Sequence, residues 1–84
     1  MYRLKIKKSA QKELNALPDQ IFIKADKAIL SLREEPFPFP QSKELKGENN
    51  RRLKVGDYRV VYTVNEEQNL IAIFRVRHRK DVYR

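Results

Sequence analysis

The chain ends in Arg75-Val76-Arg77-His78-Arg79-Lys80-Asp81-Val82-Tyr83-Arg84, a run dense in cations that holds the protein's one histidine and a tyrosine beside the terminus. Histidine is the side chain best suited to trade protons near neutral pH. Tyrosine can stack on an exposed base. A second cluster, Arg51, Arg52, Lys54 and Arg59, lies upstream. Cations, a proton donor and a stacking ring are the parts needed to cleave RNA without a metal, the substrate's own 2′-OH serving as nucleophile. Taken singly, each residue also has a plain reading: His78 as a surface histidine, Tyr83 as a plug at the end of the core.

Composition narrows the field. The chain has 84 residues, one domain's worth, and a formal net charge of +8. So large a charge on so small a body attracts polyanions: nucleic acid, an acidic membrane face or an acidic protein. There is no cysteine and a single histidine, which leaves no disulfide, no thiolate chemistry and no His-rich metal site. No cofactor is expected. No apolar run approaches the roughly 20 residues of a membrane span. The alternating start Met1-Tyr2-Arg3-Leu4-Lys5-Ile6 lacks the continuous apolar stretch of a signal peptide, so the expected location is the cytosol.

These residues need a scaffold, and the patterning describes one. Residues 2–7 alternate as a half-buried strand. Ser9 offers a helix N-cap, with Ala10, Leu14 and Leu17 at helical spacing until Pro18. Asp19 can cap a second helix, whose stripe is Phe22, Ala25, Ile29 and Leu32, with Ala28 beside it, and which Pro36 stops. Pro36-Phe37-Pro38-Phe39-Pro40 can be neither helix nor central strand. It reads as an extended connection, ending near Gly47 and Asn49-Asn50, whose Phe rings cover the edge of the core. The remainder is strand: 52–55, a Gly56-Asp57 turn of type II′, 58–64, a second turn at 65–69, and 70–77. The predicted class is α+β in the order β-α-α-β-β-β, a helical hairpin packed on one face of a small, mainly antiparallel, twisted sheet, with 1–84 a single domain.

The hairpin also predicts where the charge lands. If Gly56 and Asp57 form the loop, Val55 faces Tyr58 and Lys54 faces Arg59. Alternation then puts Leu53, Val55, Tyr58, Val60 and Tyr62 inward, together with Leu70, Ala72, Phe74 and Val76 of the next strand. Pairing Val64 with Leu70 sets Arg59 opposite Arg75, with Arg77 beyond it and Arg52 and Lys54 on the same face. Two unit charges ~5 Å apart repel by about 3 kcal/mol at an effective dielectric of 20. Either an anion is held between these residues, or their long stems splay into water and relieve the clash.

The order of elements, Leu45-Lys46-Gly47, the run Arg52-Leu53-Lys54-Val55-Gly56-Asp57-Tyr58-Arg59-Val60-Val61-Tyr62 and the ending Arg77-His78-Arg79-Lys80-Asp81-Val82-Tyr83 resemble the RelE/ParE toxin superfamily over essentially the whole chain. The resemblance implies the toxin of a type II toxin–antitoxin pair. It implies a RelE-like enzyme that enters the A site of the 70S ribosome and cuts mRNA by 2′-OH attack, without metal. It further implies a RelB-like antitoxin as partner. By the same resemblance Lys54 is the general base, and Arg59 and Arg52 stabilise the pentacovalent phosphate. Arg79 or His78 serves the leaving 5′-oxygen, and Tyr83 stacks on a base. Arg51, Arg75, Arg77 and Lys80 would add phosphate contacts. Arg52 stands where the best-known member often has lysine, which argues against proton transfer there, because arginine stays charged.

Two alternatives stay open at this level. The superfamily also contains ParE-type gyrase poisons with the same hairpin, which bind rather than cleave. A toxin fold that has lost activity would keep the basic face for binding alone.

Overall fold

The computed structural model describes residues 1–45 and 49–82. In chain order the elements are β1 (Arg3–Ile6), α1 (Lys8–Asn15), α2 (Asp19–Ser31), β2 (Ser42–Glu44), β3 (Asn50–Val55), β4 (Tyr58–Asn65), β5 (Leu70–His78) and a single helical turn, α3 (Arg79–Val82). The strands form one sheet in the order β1-β5-β4-β3-β2. Only β1 and β5 run parallel; the other neighbours are antiparallel. This is the expected α+β architecture, with one short edge strand more than the pattern predicts.

The helical hairpin supplies Ala10 and Leu14 from α1, and Ala25, Ile29 and Leu32 from α2 and its C-cap. They meet Leu53, Val55, Val60, Tyr62, Ile71, Ile73 and Val76 on one face of the sheet. Fully burying a Leu or Ile contributes about 1.5–3 kcal/mol relative to exposure, so this interface carries the fold.

The core corrects the expected phase of β5. Leu70, Ala72 and Phe74 are not the inward set; Ile71, Ile73 and Val76 are. Ile73 and Val76 are three residues apart, and an unbroken strand would aim them at opposite faces. The ladder resolves this with an irregularity between Val61 and Tyr62: Tyr62 pairs with Ile73 but Val61 pairs with Arg75, leaving Phe74 as the extra residue of a β-bulge. Val64 consequently pairs with Ile71 rather than Leu70, and Arg59 faces Arg77 rather than Arg75.

Both helix starts also differ from expectation. Lys7, in extended conformation, is the N-cap of α1 without a side-chain cap bond, and Ser9 lies inside the first turn. Pro18 is the N-cap of α2, so Asp19 is its first helical residue. There its carboxylate complements the positive end of the helix dipole.

The proline-rich connection does not lay its rings over the core. Phe37 is 41% exposed and Phe39 90%. What ties the segment down is polar. The Tyr62 hydroxyl, fully buried, donates to the Pro36 carbonyl at 2.7 Å. Its proton being committed there, the Ser42 hydroxyl donates to the Tyr62 oxygen at 2.5 Å and accepts from Arg51 Nε at 2.8 Å. Ser42 also opens β2, pairing with Leu53 of β3. Pattern alone leaves this stretch in the connection, because Ser42-Lys43-Glu44 has neither alternation nor β-branched residues. Gly47, expected to mark the end of the connection, lies outside the described residues.

Tyr62→Phe removes the hydroxyl from this chain and leaves a buried carbonyl and serine to find other partners. It should cost about 1–3 kcal/mol of unfolding free energy, read as a lower urea midpoint at unchanged slope.

Candidate nucleic-acid interface

Residues paired across a sheet point to the same side. With the helices on the Leu53, Val60 and Ile73 face, the other face is set by two rows. One runs Lys54, Arg59, Arg77; the next runs Lys43, Arg52, Val61, Arg75. The expected pairings of Val55 with Tyr58 and of Lys54 with Arg59 both hold. Arg52, Lys54 and Arg59 line one groove of about 280 Å³ with Lys43, Pro40, Gln41, Leu45 and a single carboxylate, Glu44.

Two local devices set this groove. Gly56 takes a φ of +58° at the first central position of the turn, a conformation that costs an L side chain about 1–2 kcal/mol. The turn so formed presents its carbonyls to Arg59, whose Nη1 donates to Gly56 O and Tyr58 O, each at 2.9 Å. On the other side, the Lys54 backbone N–H donates to the Gln41 carbonyl at 2.8 Å, which fastens the end of the proline-rich connection to the strand that carries Lys54.

A counterion enters from α1. Glu13 Oε2 accepts from Arg77 Nε at 2.6 Å and lies 3.7 Å from Arg75 Nη1, while Oε1 accepts from the Val76 backbone N–H at 3.0 Å. β1 pairs β5 only as far as Ile73, so Glu13 satisfies a donor on an edge that no strand covers. Its hydrogen bond, and then its charge, hold Arg77 protonated even more firmly than an ordinary arginine. Sequence reasoning passes over Glu13, because nothing local marks a partner 64 positions away. It misses Gln41 as well, whose contribution is a backbone carbonyl, and Lys43, whose strand it does not recognise.

The remaining candidates are not all gathered here. Arg51 pairs with Tyr62, hence on the helix side, where it bonds Ser42 and its guanidinium lies 5.0 Å from the Phe37 ring centroid. That engagement replaces the expected phosphate contact. His78 pairs with Tyr58, also on the helix side, and the two rings meet edge-on with centroids 5.3 Å apart. The sheet therefore separates His78 from Lys54 and Arg59. His78 Nδ1 accepts from the Lys80 backbone N–H at 3.2 Å, so the neutral ring carries its proton on Nε2. Arg79 and Lys80 are exposed in α3, and the Arg79 backbone N–H bonds the Asp57 carbonyl at 2.8 Å, joining the chain end to the hairpin turn. Tyr83 lies outside the described residues. Among the described residues no group of His, Cys, Asp or Glu is arranged to hold a metal ion, and no helix is long and apolar enough to cross a membrane.

Fold and site together define a class: a small α+β protein with a helical hairpin on one sheet face and a cationic surface on the other. A family model described as ParE toxin of type II toxin-antitoxin system, parDE, matches residues 4–83. Toxin RelG of Mycobacterium tuberculosis (strain ATCC 25618 / H37Rv) is 33% identical over 86 residues, spanning 99% of this chain and 97% of the relative. The archaeal RelE–RelB complex from Pyrococcus horikoshii OT3 contains a chain of similar structure, with TM-score 0.79, 32% identity, and coverage of 93% of this chain and 94% of that one. The isolated E. coli RelE toxin superposes with TM-score 0.80 at 25% identity, covering 99% and 92%. The chain belongs to the RelE/ParE superfamily, the toxins of type II toxin–antitoxin systems.

Glu13→Ala should lower the unfolding free energy by about 1–3 kcal/mol, because it strands the N–H of the buried Val76. Arg75→Ala, whose ion pair is longer and half exposed, should cost under ~1 kcal/mol. Urea titrations of the two variants give the comparison.

Proposed function

We propose that this toxin is a ribosome-dependent endoribonuclease that cuts mRNA in the A site. The observation that carries the reading is the convergence of Arg52, Lys54 and Arg59 on one groove. It gathers an amine and two guanidiniums, one of them docked on the hairpin turn, where a scissile phosphate can sit. In this mechanism Lys54 is the general base, taking the 2′-OH proton as the 2′-oxygen bonds to phosphorus. Arg59 and Arg52 offset the added negative charge of the pentacovalent phosphate. Arg59, already docked on the hairpin turn, needs little reorganisation to do so. The bond from phosphorus to the 5′-oxygen breaks, and that oxygen takes a proton as it leaves, assisted from the chain end. Arg79, tied to the hairpin turn through its backbone, is better placed for this than His78. Tyr83 would stack on a base, as the superfamily resemblance implies. The product is a 2′,3′-cyclic phosphate.

Arg77, expected from sequence to add a phosphate contact, pairs with Arg59 across the ladder, but its guanidinium is held by Glu13 of α1, away from the residues that line the groove. The partner in the cell is a RelB-like antitoxin, since the Pyrococcus horikoshii neighbour was crystallised as a RelE–RelB complex. An acidic, partly disordered segment would complement a +8 chain, covering the helical hairpin and part of the basic face. Such binding should weaken with added salt.

A second reading, a non-enzymatic gyrase inhibitor, is favoured by one observation: the matching family model is described as ParE toxin. A single experiment separates the two. After brief expression in bacteria, new mRNA 5′ ends are mapped by primer extension for wild type, Lys54→Ala and Arg59→Ala. The expected result is cuts within translated codons that disappear when initiation is blocked, and that fall by at least about 100-fold in either variant. Arrested growth with intact messages and a DNA-damage response would instead assign the gyrase reading.

A further inference from the structure

Phe39 is the most exposed large hydrophobic residue among those described, at 90%. A single exposed apolar side chain is ordinary; the support given to this one is not. It stands in a turn closed by the Ser42 N–H on the Pro38 carbonyl at 2.8 Å. The buried Tyr62 hydroxyl holds that turn from before, at Pro36, and from after, at Ser42. The turn is fastened a third time where Gln41 accepts from the Lys54 N–H. A fully buried tyrosine and a half-buried arginine thus immobilise a loop whose own ring touches little.

The position of the loop gives that ring a use. Phe39 directly precedes Pro40 and Gln41, both of which line the groove with Lys54, Arg52 and Arg59. Two residues span at most about 7 Å, so the Phe39 backbone lies beside the groove, and its ring, which is not part of the groove's lining, projects into solvent from that margin. A rigid aromatic face beside a cationic groove is the combination that binds single-stranded nucleic acid, the cations tracking the backbone and the ring taking a base. The neighbouring Phe37 ring is engaged by Arg51, which leaves Phe39 a single ring near the cations of the groove and not part of a broad apolar patch of the kind that marks a protein interface.

We propose that Phe39 is a stacking platform for a nucleobase of the single-stranded RNA whose phosphate occupies the groove of Arg52, Lys54 and Arg59. This rests on the ribonuclease reading for the identity of the strand, but stacking itself does not require cleavage. Aromatic contact of this kind is sequence-tolerant, because every base has a π-face.

The chain has no tryptophan, so Phe39→Trp introduces a unique indole at the proposed contact. The probe is a short single-stranded RNA with 2′-O-methyl riboses, which cannot be cut, beside an abasic strand of equal length. The strand with bases should quench the indole fluorescence of the Phe39→Trp protein, and the abasic strand should not. In anisotropy titrations Phe39→Ala and Phe39→Leu should bind about tenfold more weakly than wild type, while Phe39→Tyr binds like wild type. The slope of log affinity against log salt should be the same in all four, because stacking releases no counterions, whereas Arg52→Ala, which removes a fixed charge from the groove, should lower that slope by about one.

Equal affinity of Phe39→Leu and wild type would overturn stacking in favour of plain apolar contact. So would absence of quenching by the base-bearing strand, and quenching seen only with an acidic antitoxin peptide would make Phe39 a protein contact instead. The two proposals fail separately. Quenching without mRNA cleavage by wild type keeps the platform and removes the nuclease. Cleavage by Phe39→Ala at wild-type kcat and KM keeps the nuclease and removes the platform.

Discussion

A strand has two sides, and β5 must put Ile71, Ile73 and Val76 on the same one. That demand cannot be met by regular alternation, and the bulge at Phe74 meets it. The consequences spread through the structure. The bulge keeps the helix-facing core continuous from Tyr62 to Val60. It turns Arg75 and Arg77 to the other face and sets Arg77 opposite Arg59. It lies at the end of the stretch that β1 covers, where the Val76 N–H becomes available to Glu13.

With that phase established, the sheet acts as a divider. One face is apolar and closed by helices; the other collects arginines and lysines on adjacent strands. Like charges opposed across strands are destabilising, and a domain of this size has little stability to spare. The burial on the helix side holds the rows together, Glu13 neutralises part of the charge at the β5 edge, and the carbonyls of the hairpin turn engage Arg59. The result is a cationic groove in which Arg59 is already docked on the hairpin turn.

The connection from α2 to β3 is the second organised region. Proline removes backbone donors from this stretch, and side chains add to the two backbone bonds that remain at Ser42 and Gln41: Arg51 to Ser42, Ser42 to Tyr62, Tyr62 to the Pro36 carbonyl. Alternation along β3 puts Arg51 on the helix side, where this chain of donors engages it, while Arg52, one residue on, joins the basic face.

Much was legible from the sequence. The two periodicities, the prolines at 18 and 36 and the Gly56-Asp57 turn determined the class, the helical hairpin and the register of β3 on β4, and with them the meeting of Lys54 and Arg59. These are local patterns, each contained within one element or one tight turn. Tertiary structure decided what depends on distant partners. Whether β5 bulges is settled by which residues fit the helices, not by its own alternation. Ser42-Lys43-Glu44 is a strand because β3 offers an edge to pair with. Glu13 binds Arg77 across 64 positions, and His78 falls on the helix side because Tyr58 faces it across the ladder. A side chain's type can be read in sequence, but the face it occupies is set by packing, since a slip of one residue along a strand exchanges core for surface.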